Sequence, residues 1–578
     1  MSNPPLPTSI DEINPSQWTS FAPYYEELQS RPLTPDTIQQ WLHDWSDLSR
    51  LFWEASAMIY IEKSLDTTDK DKEQTFLEYV DNVLPPAEMA DQQLKERLLA
   101  FDFNGTTVPD MELALRNLKN EADLFRAENI PLQTAVAKLD NEYDKITGSM
   151  AADWHGEEKN LSQLAVFLRD KNRVTRQQAW QTIANLWLDK RSTLNDIYAQ
   201  MLTLRQQIAA NAGLSDYRAY AFREKGRFDY TPEDCVIFHE AIKAVAVPAV
   251  RRILARKQER LGYETIFPWD WVPERALLVD AYDAPMLAPY KTQNELIQGS
   301  LNIFSQLDVE LGRYVAVMAE DNLLDLDTRP GKALGGYCST LALRRRPFIF
   351  MNGTGLHDDV QTMLHEAGHA FHVFETAALS LVWQIEAPME FCEVASMSME
   401  LLAAPNLTRT NGGFYTESEA ARARIEHLEN VIIFLPYMVV VDAFQHWVYT
   451  HPTEATHSHH CDTVWDQLWE QFIPGIDWLG NEAARMTGWH RKPHIFGSPF
   501  YYIEYGMASI GALQVWRNSL TDHEGALAAY RQALSFGGTR TLPQLFALAG
   551  AEFRFDTAML TDLIGLVEDS IVELNEKL

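Results

Sequence analysis

Apolar residues recur at three- and four-residue spacing over most of this chain, with charged residues between them. This spacing places the apolar side chains on one face of a helix and therefore predicts amphipathic helices. The predicted helical runs are residues 36–63, 72–102, 110–145, 159–212, 414–450 and 522–578. No internal repeat or low-complexity linker separates the runs, so we expect an all-α, mainly helical protein whose parts pack closely together.

One segment departs from the helical pattern. Residues 335–352 contain two short strand-like runs around an Arg-Arg-Arg-Pro turn, which predicts a β-hairpin and hence a small sheet just before the next helix. The edge of such a sheet can hold an extended peptide through main-chain hydrogen bonds. Gly335, Gly336 and Tyr337, which lead into the first strand, are then candidate substrate-binding residues. A purely structural hairpin explains the same pattern equally well.

The length and the charge of the chain narrow the class of protein. The chain has 578 residues, too many for one small core, so two or more subdomains are expected. Hydrophobic residues make up 46% and charged residues 22%, as in ordinary soluble proteins. The formal net charge of −32 argues against nucleic acid as a partner, because phosphate binding needs a basic surface.

The cysteines, the N-terminus and the longest apolar run predict the compartment. The four cysteines are widely spaced and form no C-x-x-C pair, which indicates a reduced, intracellular protein. The N-terminus has neither the basic region nor the apolar region of a signal peptide. The apolar run at residues 431–441 is far shorter than the roughly 20 residues that span a bilayer, so we interpret it as a core helix. A cytoplasmic protein without a membrane partner is expected.

The strongest chemical signal is the H-E-x-x-H motif formed by His365, Glu366 and His369. The motif lies in an apolar run that is predicted to be helical. Residues four apart share one helix face, so the two imidazoles can converge on one metal ion. Glu366 lies beside them and can take a proton from a water molecule, as in zinc hydrolases. The alternative is a buried helix with histidines at its edge, whose polar groups would need other partners.

A catalytic zinc site usually has three protein ligands, so a third ligand is expected downstream. A second helix, predicted to begin after Pro388, offers Glu390, Glu393 and Glu400. Glu393 lies among small and apolar residues, and a buried carboxylate needs a metal or another partner. The burial pattern therefore favours Glu393 over Glu390 as the ligand. Glu390 and Glu400 are candidates for supporting hydrogen bonds to the ligands.

These segments resemble the thimet oligopeptidase and oligoendopeptidase F family of zinc metallopeptidases, in particular its Pz-peptidase-like branch. The block H-E-A-G-H-A-F-H is similar to the family motif H-E-x-G-H-x-x-H. Phe391, Glu393 and Ser396 match the family's F-x-E-x-x-S segment. Further family segments are resembled by residues 225–230, 325–332, 336–339 and 347–352. The resemblance implies a peptide hydrolase that binds one Zn²⁺ ion through the two motif histidines and Glu393.

The resemblance extends over residues 191–578, which it implies to be the catalytic domain. Residues 1–190 match only in length and helical character, and we expect them to form an N-terminal helical domain that is one wall of a channel. The implied architecture is a zincin-type core in two helical lobes around a deep channel, with the zinc at its floor. Such a channel would admit flexible oligopeptides and exclude folded proteins.

A histidine and several tyrosines follow in residues 494–505. The resemblance implies that they lie on one helix, face the zinc and donate hydrogen bonds to the developing oxyanion. Tyrosine hydroxyl groups are suitable donors for a tetrahedral intermediate. The resemblance assigns His494 and Tyr505 to this role and leaves Tyr501 and Tyr502 as alternative partners of Tyr505. An aromatic helix face that packs in the core is the competing interpretation.

A second group of possible metal ligands lies at residues 457–462, which include three histidines, Cys461 and Asp462. The stretch is polar and turn-like, and nothing in the family resemblance uses it. We therefore expect no metal site there.

Two other functions fit the same catalytic residues. A carboxypeptidase or aminopeptidase would trim peptide ends with the same metal chemistry. A catalytically silent protein would bind peptides without cleaving them, but the presence of Glu366 beside a complete ligand set argues against it. The sequence leaves the oligomeric state open between a monomer and a homodimer.

Overall fold

The computed structural model describes residues 5–103, 108–272, 277–278, 285–329, 331–333 and 335–578. Pro330, which belongs to a family-like segment, falls outside these ranges, as do the first four residues on which the signal-peptide prediction partly rests. Helices dominate the described residues, and the sheets are small. The predicted fold class, mainly helical with a small sheet beside the motif, is confirmed.

The chain divides into two compact units of three segments each. The first unit comprises Met1–Ile130, Ala288–Thr416 and Gly511–Phe553, and the second comprises Pro131–Leu287, Glu417–Ile510 and Arg554–Leu578. Because both units draw on distant parts of the chain, no shift in composition marks the division. The predicted domain boundary at residue 190 is a different division, which rests on the family resemblance and stays a prediction.

The first unit begins with long helices that follow the predicted runs. The run 72–102 divides in two at Val83, because the next helix starts with Pro85 and Pro86 in its first turn, where a missing N–H costs least. The helices of this unit are Ala22–Ser30, Ile38–Leu65, Lys70–Asn82, Leu84–Leu99, Glu112–Leu124, Gln293–Leu307, Val309–Glu320, His357–Glu375, Val382–Ile385, Met389–Ala403, His523–Ser535 and Leu542–Leu548.

The second unit has one helix that begins at the boundary residue Ile130, and the helix Tyr502–Ser519 crosses the other boundary at Gly511. The predicted run 159–212 is divided into three helices, and it ends before Gly213, whose φ of 77° lies in the left-handed region that favours glycine. The helices are Ile130–Gly148, Leu161–Ala165, Arg173–Asp189, Arg191–Asn211, Tyr217–Glu224, Pro232–Leu261, Glu417–Thr450, Pro452–Ala455, Ser458–Phe472, Glu482–Met486, Pro493–Gly497 and Thr557–Asn575.

Three small sheets lie among the described residues. The strands are β1 (Ala151–Trp154), β2 (Glu157–Asn160), β3 (Trp271–Val272), β4 (Leu277–Leu278), β5 (Leu324–Asp327), β6 (Tyr337–Leu341) and β7 (Arg346–Gly353). The last three form one sheet in the order β5-β7-β6, with β5 parallel and β6 antiparallel to β7. The predicted hairpin is therefore present, and β6 is an edge strand of the sheet.

The predicted core helix at residues 431–441 is the middle of the helix Glu417–Thr450, which is long and apolar enough to cross a membrane by length and composition. In its most apolar window, however, 83% of the residues are buried inside the protein. This degree of burial is typical of the core helix of a soluble protein, so the helix is weak evidence for a membrane span.

Candidate active site

The site is built on two helices of the first unit, His357–Glu375 (the motif helix) and Met389–Ala403 (the ligand helix). The two helices pack against each other, and the motif helix also packs on β6 and β7. The loop between β7 and the motif helix consists of three residues only. This arrangement fixes the orientation of the H-E-x-x-H motif relative to the sheet.

Asp359 holds the start of the motif helix. Its Oδ2 atom accepts hydrogen bonds from the backbone amides of Thr354, Gly355 and Leu356 at 2.7, 2.7 and 2.9 Å. The hydroxyl group of Tyr290 donates to the same oxygen at 2.7 Å. A carboxylate at this position satisfies amides that have no partner within the helix and interacts favourably with the helix dipole. The sequence does not reveal this anchor, for which the only local signal is an acid in the first turn.

His365, His369 and Glu393 converge in a geometry that fits a zinc ion. The Nε2 atoms of His365 and His369 lie 3.5 and 3.6 Å from Oε2 of Glu393. One donor atom from each of the three residues lies within 4.8 Å of the others. Ligands about 2.0–2.2 Å from one tetrahedral zinc ion are about 3.3–3.6 Å apart, so the three donors are nearly at the required spacing. Two imidazoles and a carboxylate are also an established donor set for catalytic zinc.

The close packing of the two helices depends on Gly368. A Cβ atom at this position would lie 2.5 Å from the Cα atom of Ser396 and 2.6 Å from the carbonyl oxygen of Ala395. Both atoms belong to the backbone of the ligand helix, which a side-chain rotation cannot move. The absence of a side chain at Gly368 therefore lets Glu393 approach the two histidines.

Hydrogen bonds around the ligands orient them. His365 Nδ1 lies 2.7 Å from Oε1 of Glu400, which leaves Nε2 on the side of Glu393. The hydroxyl group of Ser396 donates to Oε2 of Glu393 at 3.1 Å. Glu400 therefore makes one of the supporting contacts that the sequence predicts. Such contacts fix the tautomer and the ring orientation of a ligating histidine.

The environment shifts the pKa values of both histidines. Burial by itself would lower the pKa of His365, but its hydrogen bonds to Glu393 and Glu400 raise it well above the ordinary value. Burial lowers the pKa of His369 to about 4, so this imidazole is neutral at pH 7. Metal binding therefore requires the release of a proton from His365 but not from His369.

We expect Glu400→Ala to weaken Zn²⁺ binding by about 10–100-fold, because His365 loses the acceptor that holds its ring and its tautomer. Competition with a chromogenic chelator measures this affinity directly. Glu375→Ala is the matched control, since Glu375 ends the motif helix and accepts from Arg531 at 2.8 Å instead of contacting the ligands. Equal Zn²⁺ affinity in Glu400→Ala and the wild type would contradict the supporting role.

Glu366 is buried beside the ligands and is poised to accept a proton. The residue is 6% exposed, and its Oε2 atom has no hydrogen-bond partner among the described residues. Burial raises the pKa of Glu366 to about 7; the nearby His365 lowers it, and the Glu393 and Glu400 carboxylates raise it again. A general base is most effective when its pKa lies near the working pH, so Glu366 is suited to this task.

The predicted substrate-binding residues lie where the hairpin meets the motif helix. A Cβ atom on Gly336 would lie 3.6 Å from Oε1 of Glu366, so the backbone of Gly336 passes next to the candidate base. Gly335 has a φ of 97°, a conformation that side chains disfavour. Tyr337 begins the edge strand β6 and stacks on Phe350 at a centroid distance of 4.8 Å. Their role in substrate binding stays a prediction.

The second unit brings the predicted histidine and tyrosines together. The ring centroid of His494 lies 5.6, 5.1 and 6.0 Å from those of Tyr501, Tyr502 and Tyr505. Tyr502 is buried, and Lys492 Nζ donates a hydrogen bond to its hydroxyl group at 2.6 Å. Tyr501 and Tyr505 are half-buried.

The expectation that His494 and the three tyrosines lie on one helix is wrong. His494 lies in the short helix Pro493–Gly497, and the next helix starts only at Tyr502. Phe500 between them has a φ of 62°, which no helix can accommodate. Tyr501 therefore reaches the cluster from the connecting segment, with its ring centroid 5.1 Å from that of Tyr505.

The structure of residues 457–462 also differs from the turn-like stretch predicted for them. They include the start of the helix Ser458–Phe472, in which the Cys461 thiol donates to the carbonyl oxygen of Ala455 at 3.2 Å. Asp462 accepts from Trp489 Nε1 at 2.9 Å and pairs with Arg191. Two sets of donors in the described part of the chain are close enough to hold a metal, and this cluster is not one of them.

A sequence profile identifies the family, and known structures share the fold. The sequence profile of peptidase family M3 matches residues 166–563, well over half of the chain. The structure of Pz peptidase A with inhibitor 2 is 26% identical, with a TM-score of 0.88 over 100% of this chain and 99% of that chain. A protein assigned as an oligoendopeptidase F is 25% identical, with a TM-score of 0.88 over 100% and 98% of the two chains.

Another protein assigned as an oligoendopeptidase F, from Bacillus anthracis str. Ames, shares the fold at 24% identity, with a TM-score of 0.84 over 100% of this chain and 98% of that chain. No curated protein matches the chain in sequence. The chain belongs to peptidase family M3, a family of metallopeptidases, and it is a peptidase.

Proposed function

We propose that this peptidase is a zinc-dependent endopeptidase that hydrolyses short, unstructured oligopeptides with Glu366 as the general base. One observation carries the proposal, namely that His365, His369 and Glu393 converge beside a buried carboxylate whose Oε2 atom has no hydrogen-bond partner among the described residues. Peptidases of family M3 are in general zinc metallopeptidases, which supports the choice of metal. The likeness to Pz peptidase A and to an assigned oligoendopeptidase F supports cleavage within oligopeptides.

The proposed mechanism assigns a step to each part of the site. A Zn²⁺ ion held by His365, His369 and Glu393 would polarise the scissile carbonyl group and acidify a water molecule. Glu366 removes a proton from the attacking water and then delivers it to the nitrogen of the leaving amine. The backbone of Gly335 and Gly336 and the edge of β6 hold the peptide main chain in an extended form.

The oxyanion donors are proposed from the family resemblance and not from a distance. Tyr505 and His494 donate hydrogen bonds to the carbonyl oxygen as its negative charge develops. Tyr501 is the preferred partner, because Tyr502 is buried and its hydroxyl group already contacts Lys492 at 2.6 Å. Partial exposure of Tyr501 and Tyr505 supports the same choice.

We expect Tyr505→Phe to lower kcat by about 10²–10³, the usual effect of removing one oxyanion donor, with little change in thermal stability. Tyr502→Phe should leave kcat nearly unchanged and lower the thermal stability. It leaves the buried Lys492 ammonium group without this acceptor, at a cost of about 1–3 kcal/mol. Steady-state kinetics and thermal unfolding of both variants measure the two effects. A similar loss of kcat in both variants would argue against a special role for Tyr505.

Quenched fluorescent peptides blocked at both termini test the proposal and its rivals. We expect the protein to cleave these peptides. A chelator should abolish the cleavage, and added Zn²⁺ should restore it. Cleavage of free-ended peptides alone would indicate a carboxypeptidase or an aminopeptidase, and binding without cleavage would indicate a silent peptide-binding protein. A series of peptides of increasing length, with a folded protein as the last member, tests the restriction to short substrates.

A cytoplasmic location is proposed from the cysteines. All four lie in the described part of the chain, and none of them forms a disulfide there. Reduced cysteines are typical of intracellular proteins. Labelling of the free thiols of this protein in its native cells would test this proposal. The cysteines of a cytoplasmic protein should be found reduced.

A further inference from the structure

A second group of metal-binding side chains lies in the second unit, in the interface between two of its long helices. Cys235 and His239 are four residues apart on the helix Pro232–Leu261, and Asp442 and His446 are four residues apart on the helix Glu417–Thr450. The two helices pack against each other. Each pair therefore lies on one helix face, and both pairs meet at a single place in the interface.

The donor atoms of this group are close together and removed from solvent. Cys235, Asp442 and His446 each offer one donor atom within 4.8 Å of the others. Cys235 and Asp442 are 0% exposed, and His446 is 8% exposed. His239 Nε2 lies 2.8 Å from Oδ2 of Asp442, and His446 Nε2 lies 3.2 Å from the same oxygen.

One of these polar atoms lacks a hydrogen bond. Asp442 Oδ1 is buried and has no hydrogen-bond partner among the described residues. His446 Nδ1 lies 3.5 Å from Arg218 Nη1, and Nε2, on the other side of the ring, faces Asp442. A buried polar atom without a partner is costly, and a bound cation would satisfy Asp442 Oδ1.

The charge of the group also suits a divalent cation. A carboxylate and a thiolate together carry two negative charges, which one divalent ion neutralises. The ion and its three ligands then have no net charge together, and the proton of the Cys235 thiol is released to solvent.

We propose that Cys235, Asp442 and His446 bind a second Zn²⁺ ion, separate from the candidate active site, and that His239 orients Asp442 through their hydrogen bond. Sulfur, imidazole and carboxylate groups are all ligands that zinc accepts. The burial of the three ligands between two core helices favours a structural over a catalytic ion. Its function is to join the two core helices of the second unit, as structural zinc ions commonly do.

Replacement of zinc by Co²⁺ tests this site, because a thiolate bound to Co²⁺ absorbs in the near ultraviolet. Cys235 is the only cysteine in either donor set, so the wild type should show this absorption and His369→Ala should keep it. Cys235→Ser should lose it. Cys461→Ser is the matched control, since Cys461 is also buried but lies outside both donor sets, and it should keep the absorption. An absorption that is lost in Cys461→Ser, or a wild type without thiolate absorption, would overturn the proposal.

Metal analysis of the same proteins gives an independent readout. We expect two Zn²⁺ ions per chain in the wild type, one in His369→Ala, one in Cys235→Ser and none in the double variant. A single ion in the wild type that disappears in His369→Ala would refute the second site. If Cys235→Ser does not fold, as judged by circular dichroism, the spectra and metal content of the wild type and His369→Ala still decide. One ion and a thiolate absorption in His369→Ala would support this site even if the proposed peptide cleavage were never observed.

Discussion

Glu366→Gln is expected to bind Zn²⁺ like the wild type and to lose nearly all turnover. The amide has the shape of the carboxylate but cannot accept a proton from the attacking water. General base catalysis contributes about 10²–10⁴ in rate, so kcat/KM should fall by about that factor. Little loss of stability is expected, because Glu366 Oε2 has no hydrogen-bond partner among the described residues whose contact the amide would break. Initial rates on a doubly blocked peptide, with zinc content determined on the same sample, measure both properties.

Glu375→Gln is the control for this substitution. It makes the same change at the last residue of the motif helix, where the carboxylate pairs with Arg531 and not with the ligands. Turnover should remain close to that of the wild type. Wild-type turnover in Glu366→Gln would remove Glu366 as the general base. A loss of zinc in that variant would instead assign Glu366 to metal binding.

Gly368→Ala is expected to destabilise the protein and to weaken Zn²⁺ binding together. The added methyl group would lie 2.5 Å from Ser396 Cα, so the ligand helix must move away from the motif helix. Overpacking of a core usually costs about 1–3 kcal/mol, and contact with backbone atoms favours the upper part of this range. The same movement takes Glu393 away from the two histidines. Chemical denaturation and chelator competition measure the two losses.

Gly565→Ala is the matched control for this prediction. Gly565 also lies inside a helix, Thr557–Asn575, but a Cβ atom there meets nothing within 4 Å. Because alanine is the better helix former, this variant should gain about 0.5–1 kcal/mol. If Gly368→Ala kept wild-type zinc affinity, the close contact between the helices would not be required for the metal site.

The features that could be predicted from the sequence depend on local spacing. The four-residue interval between His365 and His369 fixes their common face once the segment is helical. The hairpin is specified by its turn and by its alternating apolar residues. Glu393 could be selected because small and apolar neighbours surround it on its own helix. All of these signals lie within a few residues of the group they describe.

The features that could not be predicted depend on contacts between distant segments. Asp359 accepts a hydrogen bond from Tyr290, and no local sequence pattern predicts this partner. Cys235 and Asp442 each have a histidine four residues later, yet the sequence does not say that their helices are neighbours. The break before Tyr502 depends on the left-handed conformation of Phe500, which is unusual for an aromatic residue.

The bonds of Asp359 have a consequence for where a peptide is cut. They join the loop after β7 to the motif helix, so the sheet edge and Glu366 are parts of one rigid block. For a peptide aligned on the edge strand β6, the distance from the edge to Glu366 is therefore fixed. This fixed distance determines which peptide bond is cleaved. Asp359→Ala removes these hydrogen bonds. We expect this variant to cleave at several neighbouring peptide bonds, with a smaller effect on total cleavage. Mass spectra of the fragments would show this change as a ladder in place of a single pair of products.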